Sequence, residues 1–443
     1  MAPEDEPVIP AGATSRRARA WQQMAEHPPP GPFRRGFWRS PVRGPWLTAV
    51  FGLVLLVGIT IVFVTGLLSY AAYNPNLHGN DTTPDKGLLG FYLFSWPTHP
   101  HWLYRVTQGV HVTLGLVLIP VLLAKLWSVI PKLFEWPPVK SPAQLLERLS
   151  LLLLVGGAVF EFVTGVLNIQ YFYVFPGSFY TLHLYGAWVF IAAFVVHVAL
   201  KFPRMRSALR SRRLRDELRI DTAHTEPEPA DPDELVTPTP DRATISRRGV
   251  LGLVGAGSLA LFLLTIGQSI GGSLRRTALL APRGVEPGSG PNGFQINKTA
   301  AQVGITPEKT GPSWRLRIEG GTSMQFTREQ LLAMPQHSAD LAIACVEGWS
   351  TDDQTWTGIR LRDLARLAGA PEAGTVRVQS LQHNGFGNAT LRQNQLLDGD
   401  SLLALKVNGA DLSLDHGYPA RIIVPDNPGV HNTKWVTQLT FER

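Results

Sequence analysis

The sequence predicts a membrane all-α bundle of five transmembrane helices fused to a soluble α+β domain. Three observations predict it. Residues 46 to 272 hold several apolar runs of roughly 20 residues, the length a bilayer-spanning helix needs. Lysine and arginine crowd into short segments beside those runs, the pattern that orients membrane helices. From residue 285 onward short β-type runs alternate with turns around one amphipathic helical stretch. The net charge of +7 is therefore explained by orientation in lipid, and no nucleic-acid partner is expected. One cysteine in 443 residues excludes an internal disulfide framework and any cysteine-based zinc or iron–sulfur cluster.

Residues 1–45 are rich in Pro, Arg and Ala and read as a disordered cytoplasmic tail. Spans are expected over 46–70, 105–130, 146–169 and 179–201, giving a four-helix domain from 46 to 201. Arg16, Arg17, Arg19, Arg34, Arg35, Arg39 and Arg43 precede the first span. Lys125, Lys132, Lys140 and Arg148 lie around the second connection, and the 169–179 loop carries no charge. Arg204, Arg206, Arg210, Arg212, Arg213, Arg215 and Arg219 follow the fourth span. Positive charge on the inside then puts the N-terminus in the cytoplasm. Residues 202–245, charged and then Pro-rich (DTAHTEPEPADPDELVTPTPDRATI), read as a cytoplasmic linker. The fifth helix lies within 246–272, opening SRRGVLGLVGAGSLALFLL; five spans leave the 285–443 domain extracytoplasmic. Paired Arg247 and Arg248 resemble a twin-arginine export signal, which carries folded domains; alternatively they only anchor the helix at the cytoplasmic face.

An internal repeat, FVTGLLS at 63–69 and FVTGVLN at 162–168, marks the first and third spans. Each is followed by a helix with a histidine near its outer end, His111 and His183. Two such helix pairs read as a pseudo-symmetric four-helix bundle, and facing histidines inside it could be the axial ligands of one haem b. An intramembrane histidine is costly unless partnered, so the alternative is a hydrogen bond to a neighbouring helix. His197 lies on the same helix face as His183, about 21 Å deeper. This spacing resembles the b-type cytochrome subunits of formate dehydrogenases and nickel–iron hydrogenases, which stack two haems. That family takes the remaining inner ligand from a His-Trp at the start of the first span; here Pro45 precedes Trp46, and His27 lies in the tail. One haem is therefore expected, and a second is doubtful. His99 and His101 in the first outer loop are rival ligands, and Glu161 is a candidate proton carrier at a quinol site.

In the soluble part, 313–320, 375–382, 420–426 and 434–441 read as strands and 359–370 as a helix. Two stretches stand out: DLAIACVEGWSTDDQTWTGIRLRDLARLAG, with Cys345, and HGYPARIIVPDNPGVHNTKWVTQL over 416–439. Together they resemble the sulfite-oxidase superfamily of molybdopterin enzymes, and the Cys-Val-Glu-Gly-Trp run is similar to its bacterial periplasmic protein-methionine-sulfoxide reductase branch. The resemblance covers 285–443 and implies that Cys345 is a thiolate ligand of molybdenum; without it, a lone cysteine reads as a small buried hydrophobe. It further implies that Arg421 and Lys434 supply charge to the molybdopterin cofactor and that His416, Asn432, Thr433, Ser380 and Asn292 supply donors. For Asn292 and Ser380 an ordinary turn role is equally open.

These parts imply a membrane oxidoreductase of the bacterial inner (plasma) membrane. Quinol would feed electrons through the His111/His183 haem to molybdenum, where a sulfoxide or other S- or N-oxide, small or protein-bound, would be reduced. No arginine follows Cys345 in VEGWSTDDQTW, which argues against a sulfite-like dianion. The alternatives are a dehydrogenase running the same parts in reverse, and a haem-bearing anchor without enzymatic activity.

Overall fold

The structure, a computed structural model, describes residues 27–74, 77, 79–80, 93–137, 141–172, 174, 178–231, 234–283, 288, 292–383 and 386–443. Arg16, Arg17, Arg19 and most of the expected tail lie outside the described residues, as does Lys140. Among the described residues five helices are long and apolar enough to cross a membrane, one for each expected span. Helix α1 (Pro45–Tyr73) starts on a proline, whose fixed φ and missing N–H suit a first helical position. The second is broken into α2 (Leu103–Val117) and α3 (Ile119–Leu133). Pro120 has no N–H to return to the turn before it, so the ladder is interrupted there. Then come α4 (Pro142–Ile169), α5 (Phe179–Ser211) and α6 (Arg247–Leu263).

The chain divides into two compact units. The first gathers the chain up to Leu53 with Leu122–Leu153 and Val196–Leu253. In it Arg247 is buried, meeting Glu217 at 3.4 Å and Glu228 at 3.7 Å and donating to the Glu226 carbonyl at 2.9 Å. Glu228 also accepts from the Trp46 N–H at 3.0 Å, and the Trp46 indole donates to the Arg212 carbonyl at 3.0 Å. A buried guanidinium needs paired carboxylates, and Glu217 and Glu228 provide them. The acidic, Pro-rich segment expected as a linker is therefore tied down at the start of α1.

The second unit gathers Val54–Val121, Leu154–Val195 and Val254–Arg443. Its strands are β1 (Leu316–Glu319), β2 (Ser323–Phe326), β3 (His337–Leu341), β4 (Gln354–Arg360), β5 (Thr375–Ser380), β6 (Asn388–Arg392), β7 (Leu402–Val407), β8 (Ala410–Asp411), β9 (Arg421–Ile423) and β10 (Val436–Glu442), with helix α7 (Leu361–Leu367) after β4. One sheet runs β2-β1-β10-β5-β6, antiparallel except for the β1–β10 pair. The other runs β3-β4-β7-β8, with β9 also on β7. Leu316, Ile318, Val376, Val378, Leu439 and α7's Leu361 and Leu364 close one core. This is the α+β domain expected. Its apolar strand faces hold the loops between β3 and β4 and between β9 and β10, where the chemistry lies.

Candidate functional site: a cysteine in a donor cradle and a histidine pair

Past β3 the chain turns back on itself, Ala344 bridging both Ser350 and Pro428. The Cys345 N–H donates to the Trp349 carbonyl at 2.8 Å and the Gly348 N–H to the Cys345 carbonyl at 3.0 Å. Gly348 sits at φ +89°, a left-handed conformation that closes the loop and that glycine adopts freely. Cys345 is a free thiol, 2% exposed, and donates to the Glu347 carboxylate. Burial pushes the Cys345 thiol well above its usual range, with the Glu347 charge adding to it, and burial raises Glu347 as well. A cation at the sulfur would reverse this preference and hold the thiolate. Among the described residues no group of three or more His, Cys, Asp or Glu could hold a metal, so a metal at Cys345 must bring its other ligands with it.

The β9–β10 connection supplies the facing wall. Arg421 is buried with its guanidinium 5.5 Å over the Trp356 ring, and one arm donates to the His416 carbonyl at 3.2 Å. Burial lowers it to about 9, with Cys345 pulling the other way. His416 stacks 3.8 Å from the Phe294 ring and engages Ser413 through Nδ1 at 2.8 Å. Burial and the charges of Arg421 and Lys434 lower it to about 3, so the imidazole is neutral. Lys434 is gripped by Asn297 Oδ1 at 3.0 Å and the Asp415 carbonyl at 2.9 Å, and burial lowers it far below its usual range.

The other expected donors serve the backbone. Asn432 accepts from the Val424 N–H at 3.0 Å, and Thr433 donates to the His431 carbonyl at 3.3 Å. Ser380 donates to the Lys434 carbonyl at 2.7 Å, and Asn292 accepts from the Ser413 N–H at 2.6 Å while donating to the Asp411 carbonyl at 3.0 Å. What remains is a set of buried atoms with no partner among the described residues: Arg421 Nε, His416 Nε2, Asn427 Nδ2 and His431 Nε2. Each unpaired buried polar group costs about 1–3 kcal/mol, so four of them within residues 416–431, on β9 and its flanking segments, fit a polar cofactor such as molybdopterin. Asn427 and His431 escaped the sequence reading although both lie in the PDNPGVHN run; only their burial distinguishes them.

The family described as "Oxidoreductase molybdopterin binding domain" matches residues 303–443. That part of the chain is a molybdopterin-binding oxidoreductase domain. It is 32% identical over 162 residues to the mitochondrial sulfite oxidase of Drosophila melanogaster, covering 30% of this chain and 27% of that protein. It is 30% identical over 132 residues to the uncharacterized oxidoreductase YuiH of Bacillus subtilis, covering 29% of this chain and 66% of that protein. Among solved structures, the sulfane dehydrogenase SoxCD of Paracoccus pantotrophus matches at 25% identity and a TM-score of 0.28, covering 30% of this chain and 38% of that one. The chain thus spans about a quarter to two thirds of the length of these curated relatives. An anchor without enzymatic activity, left open by the sequence, gains no support from this family.

In the helical part, His111 on α2 and His183 on α5 lie with ring centres 6.3 Å apart and planes at 85°. Rings at that spacing leave room for one metal between two imidazoles, whose metal–nitrogen bonds are each about 2.0–2.1 Å. Each ring is held through Nδ1, the arrangement that presents Nε2 to a metal. His111 Nδ1 lies 2.9 Å from the Val62 carbonyl and 3.3 Å from Thr65 Oγ1. His183 Nδ1 lies 3.1 Å from Thr164 Oγ1 and 3.1 Å from the Glu161 carboxylate. Thr65 and Thr164 are equivalent positions of the FVTG repeat, so the repeat is the device that orients the two rings. Its glycine gives the ring room: a Cβ on Gly66 would stand 3.1 Å from His111 Cε1. In the first unit, the charged groups acting on His197 are Lys125 and Lys201. His99 pairs with Asp398 at 3.0 Å, away from the helical pair.

Proposed function

We propose that this chain is a membrane-bound molybdenum oxidoreductase in which one haem b, held by His111 and His183, connects the quinone pool to the Cys345 site. We infer further that it reduces a sulfoxide or a related S- or N-oxide on the extracytoplasmic side. The observation that carries this is the buried Cys345 thiol in a region of unpaired donors, within a domain of the molybdopterin-binding family. Cys345 would ligate molybdenum, and Arg421, His416, Asn427 and His431 would hold the pterin, with Lys434, Asn432, Thr433, Ser380 and Asn292 fixing the backbone around it. Bound molybdopterin supplies a metal centre able to exchange an oxygen atom and two electrons. The chain's own residues bury that centre, neutralise the cofactor's charge and hold a proton on Glu347 beside the sulfur. In sum, sulfoxide and quinol give sulfide, quinone and water, the quinol providing both electrons and both protons. The 6.3 Å histidine separation supports the haem, and the five apolar helices support the membrane setting with the N-terminus cytoplasmic.

A second reading, a dehydrogenase oxidising a sulfur anion and reducing quinone, is favoured by one observation. No arginine lies in VEGWSTDDQTW just after Cys345, but Arg421 from β9 acts electrostatically with Cys345 and Arg283 with Glu347. A screen with reduced viologen dye against sulfoxides, N-oxides and sulfite, using chain of known molybdenum content, separates the two. Turnover of an oxide supports the reductase. Sulfite-driven haem reduction without oxide turnover refutes it.

A further inference from the structure

The loop that carries Cys345 is covered by helical residues of its own unit. The Val346 carbonyl accepts from the Gln108 side chain on α2, and the Gly348 carbonyl accepts from Ser269 Oγ at 2.6 Å. Gly348 abuts α2 so closely that a Cβ there would stand 2.7 Å from the Cβ of Val112. The Ser350 N–H donates to the Gln268 carbonyl at 2.9 Å. Across the site, the buried Asp426 carboxylate accepts from the Trp96 indole at 2.8 Å and the Tyr104 N–H at 2.6 Å. Loop positions 346, 348 and 350, just after the cysteine, and Asp426 of the β9–β10 connection are thus fastened to helix α2 and its neighbours.

We propose that the Cys345 site accepts small, freely diffusing oxides and excludes the same group on the surface of a folded protein. The inference rests on the oxide-reductase reading. A methionine sulfoxide in a folded protein reaches only a few ångströms beyond its own backbone, whereas this sulfur lies beneath clamped backbone and helix ends. Protein-borne sulfoxide must wait for the clamps at Asp426 and at 346–350 to open. Turnover then scales with the open fraction, and a minor state of about 1% lowers kcat/KM about 100-fold. The group transfer itself is unchanged: sulfoxide, two electrons and two protons give sulfide and water, the electrons coming from reduced dye in the assay.

The test uses the full-length, molybdenum-loaded chain in detergent and follows oxidation of reduced viologen. Three substrates are compared: free methionine sulfoxide, a peroxide-oxidised folded protein, and a proteolytic digest of that same protein. The free compound and the digest should turn over, with kcat/KM on the intact protein lower by about 100-fold or more. Equal kcat/KM on intact protein and digest overturns the proposal. In the same preparation hydrogen exchange over 343–351 should be slow, and faster in a Trp96→Phe, Gln108→Ala variant. If no sulfoxide turns over, the sulfoxide reading fails, and exchange then decides the cap: slow exchange supports it, and exchange at the rate of an open loop overturns it.

Discussion

Gly348→Ala probes whether the Cys345 loop is held in one conformation for a metal. Two costs follow from the structure. At φ +89° a non-glycine residue sits in left-handed space, costing about 1–2 kcal/mol. The new methyl would lie 2.7 Å from Val112 Cβ and 2.8 Å and 2.9 Å from its methyl carbons, far inside carbon contact distance. Overpacking of that kind costs about 1–3 kcal/mol. The sum, about 2–5 kcal/mol, is a large share of the stability of an ordinary domain. The loop relieves it by moving, and because Gly348 N–H is bonded to the Cys345 carbonyl, the cysteine moves with it. Metal analysis of the purified variant should show molybdenum well below one per chain with the b-type spectrum retained. Melting should fall by several degrees. Full molybdenum occupancy with unchanged melting would refute the loop geometry and the helix contact together.

Alanine at His111 or His183 should abolish the b-type spectrum, with wild-type chain carrying about one haem; an unaltered spectrum would sink the ligand assignment. Valine at both Thr65 and Thr164 removes the hydroxyls that orient the rings and should weaken haem retention about 10–100-fold in a haem-transfer assay. Burial lowers His416 and His431 from 6.5 to about 3, so the folded chain holds fewer protons than the unfolded one between those values. Their stabilisation is complete above pH 6.5 and is lost as pH falls toward 3. Buried Asp426, raised to about 7, works in the opposite direction, as do buried Glu347 and Glu228, so the histidine contribution is read as a difference between wild type and variant. Acidification below pH 6.5 should therefore lower the melting temperature of wild type more than that of a His416→Gln, His431→Gln variant. Arg247→Ala removes the cation shared by buried Glu217 and Glu228, leaving Glu217 its 2.5 Å pair with Arg212, and should cost about 3–5 kcal/mol, read by melting, whereas exposed Arg248→Lys should leave melting unchanged.

Long elements were the most legible. A bilayer forces each span to satisfy its own backbone, so length and apolarity alone located all five helices. In the soluble part β1, β5, β9 and β10 were legible from alternation, but β9 stops at Ile423, short of the run expected to 426. Asp426 at φ +55° has left strand geometry by then. β7 was missed because LLALKV is an apolar run broken only by Lys406 and without β-branching until its end, which a buried helix matches equally well. The stretch around Cys345 stood out through its motif, and the molybdopterin-binding family matches the residues that contain it. The purpose of the FVTG repeat was not, because a threonine that orients a histidine on another helix carries no mark in its own span. Glu217 in a basic stretch and Glu228 in the Pro-rich one look like solvated acids, and only the burial of Arg247 reveals their work. Asn427 and His431 likewise differ from ordinary turn residues only in losing water.

The central claim is that Cys345 provides the protein's sulfur to molybdenum while the histidine pair holds a separate haem. X-ray absorption at the molybdenum edge, on wild type and Cys345→Ser purified alike, tests it most directly. The account predicts that the variant loses one sulfur neighbour from the metal and keeps its haem bands unchanged. An identical sulfur count in both proteins would contradict it.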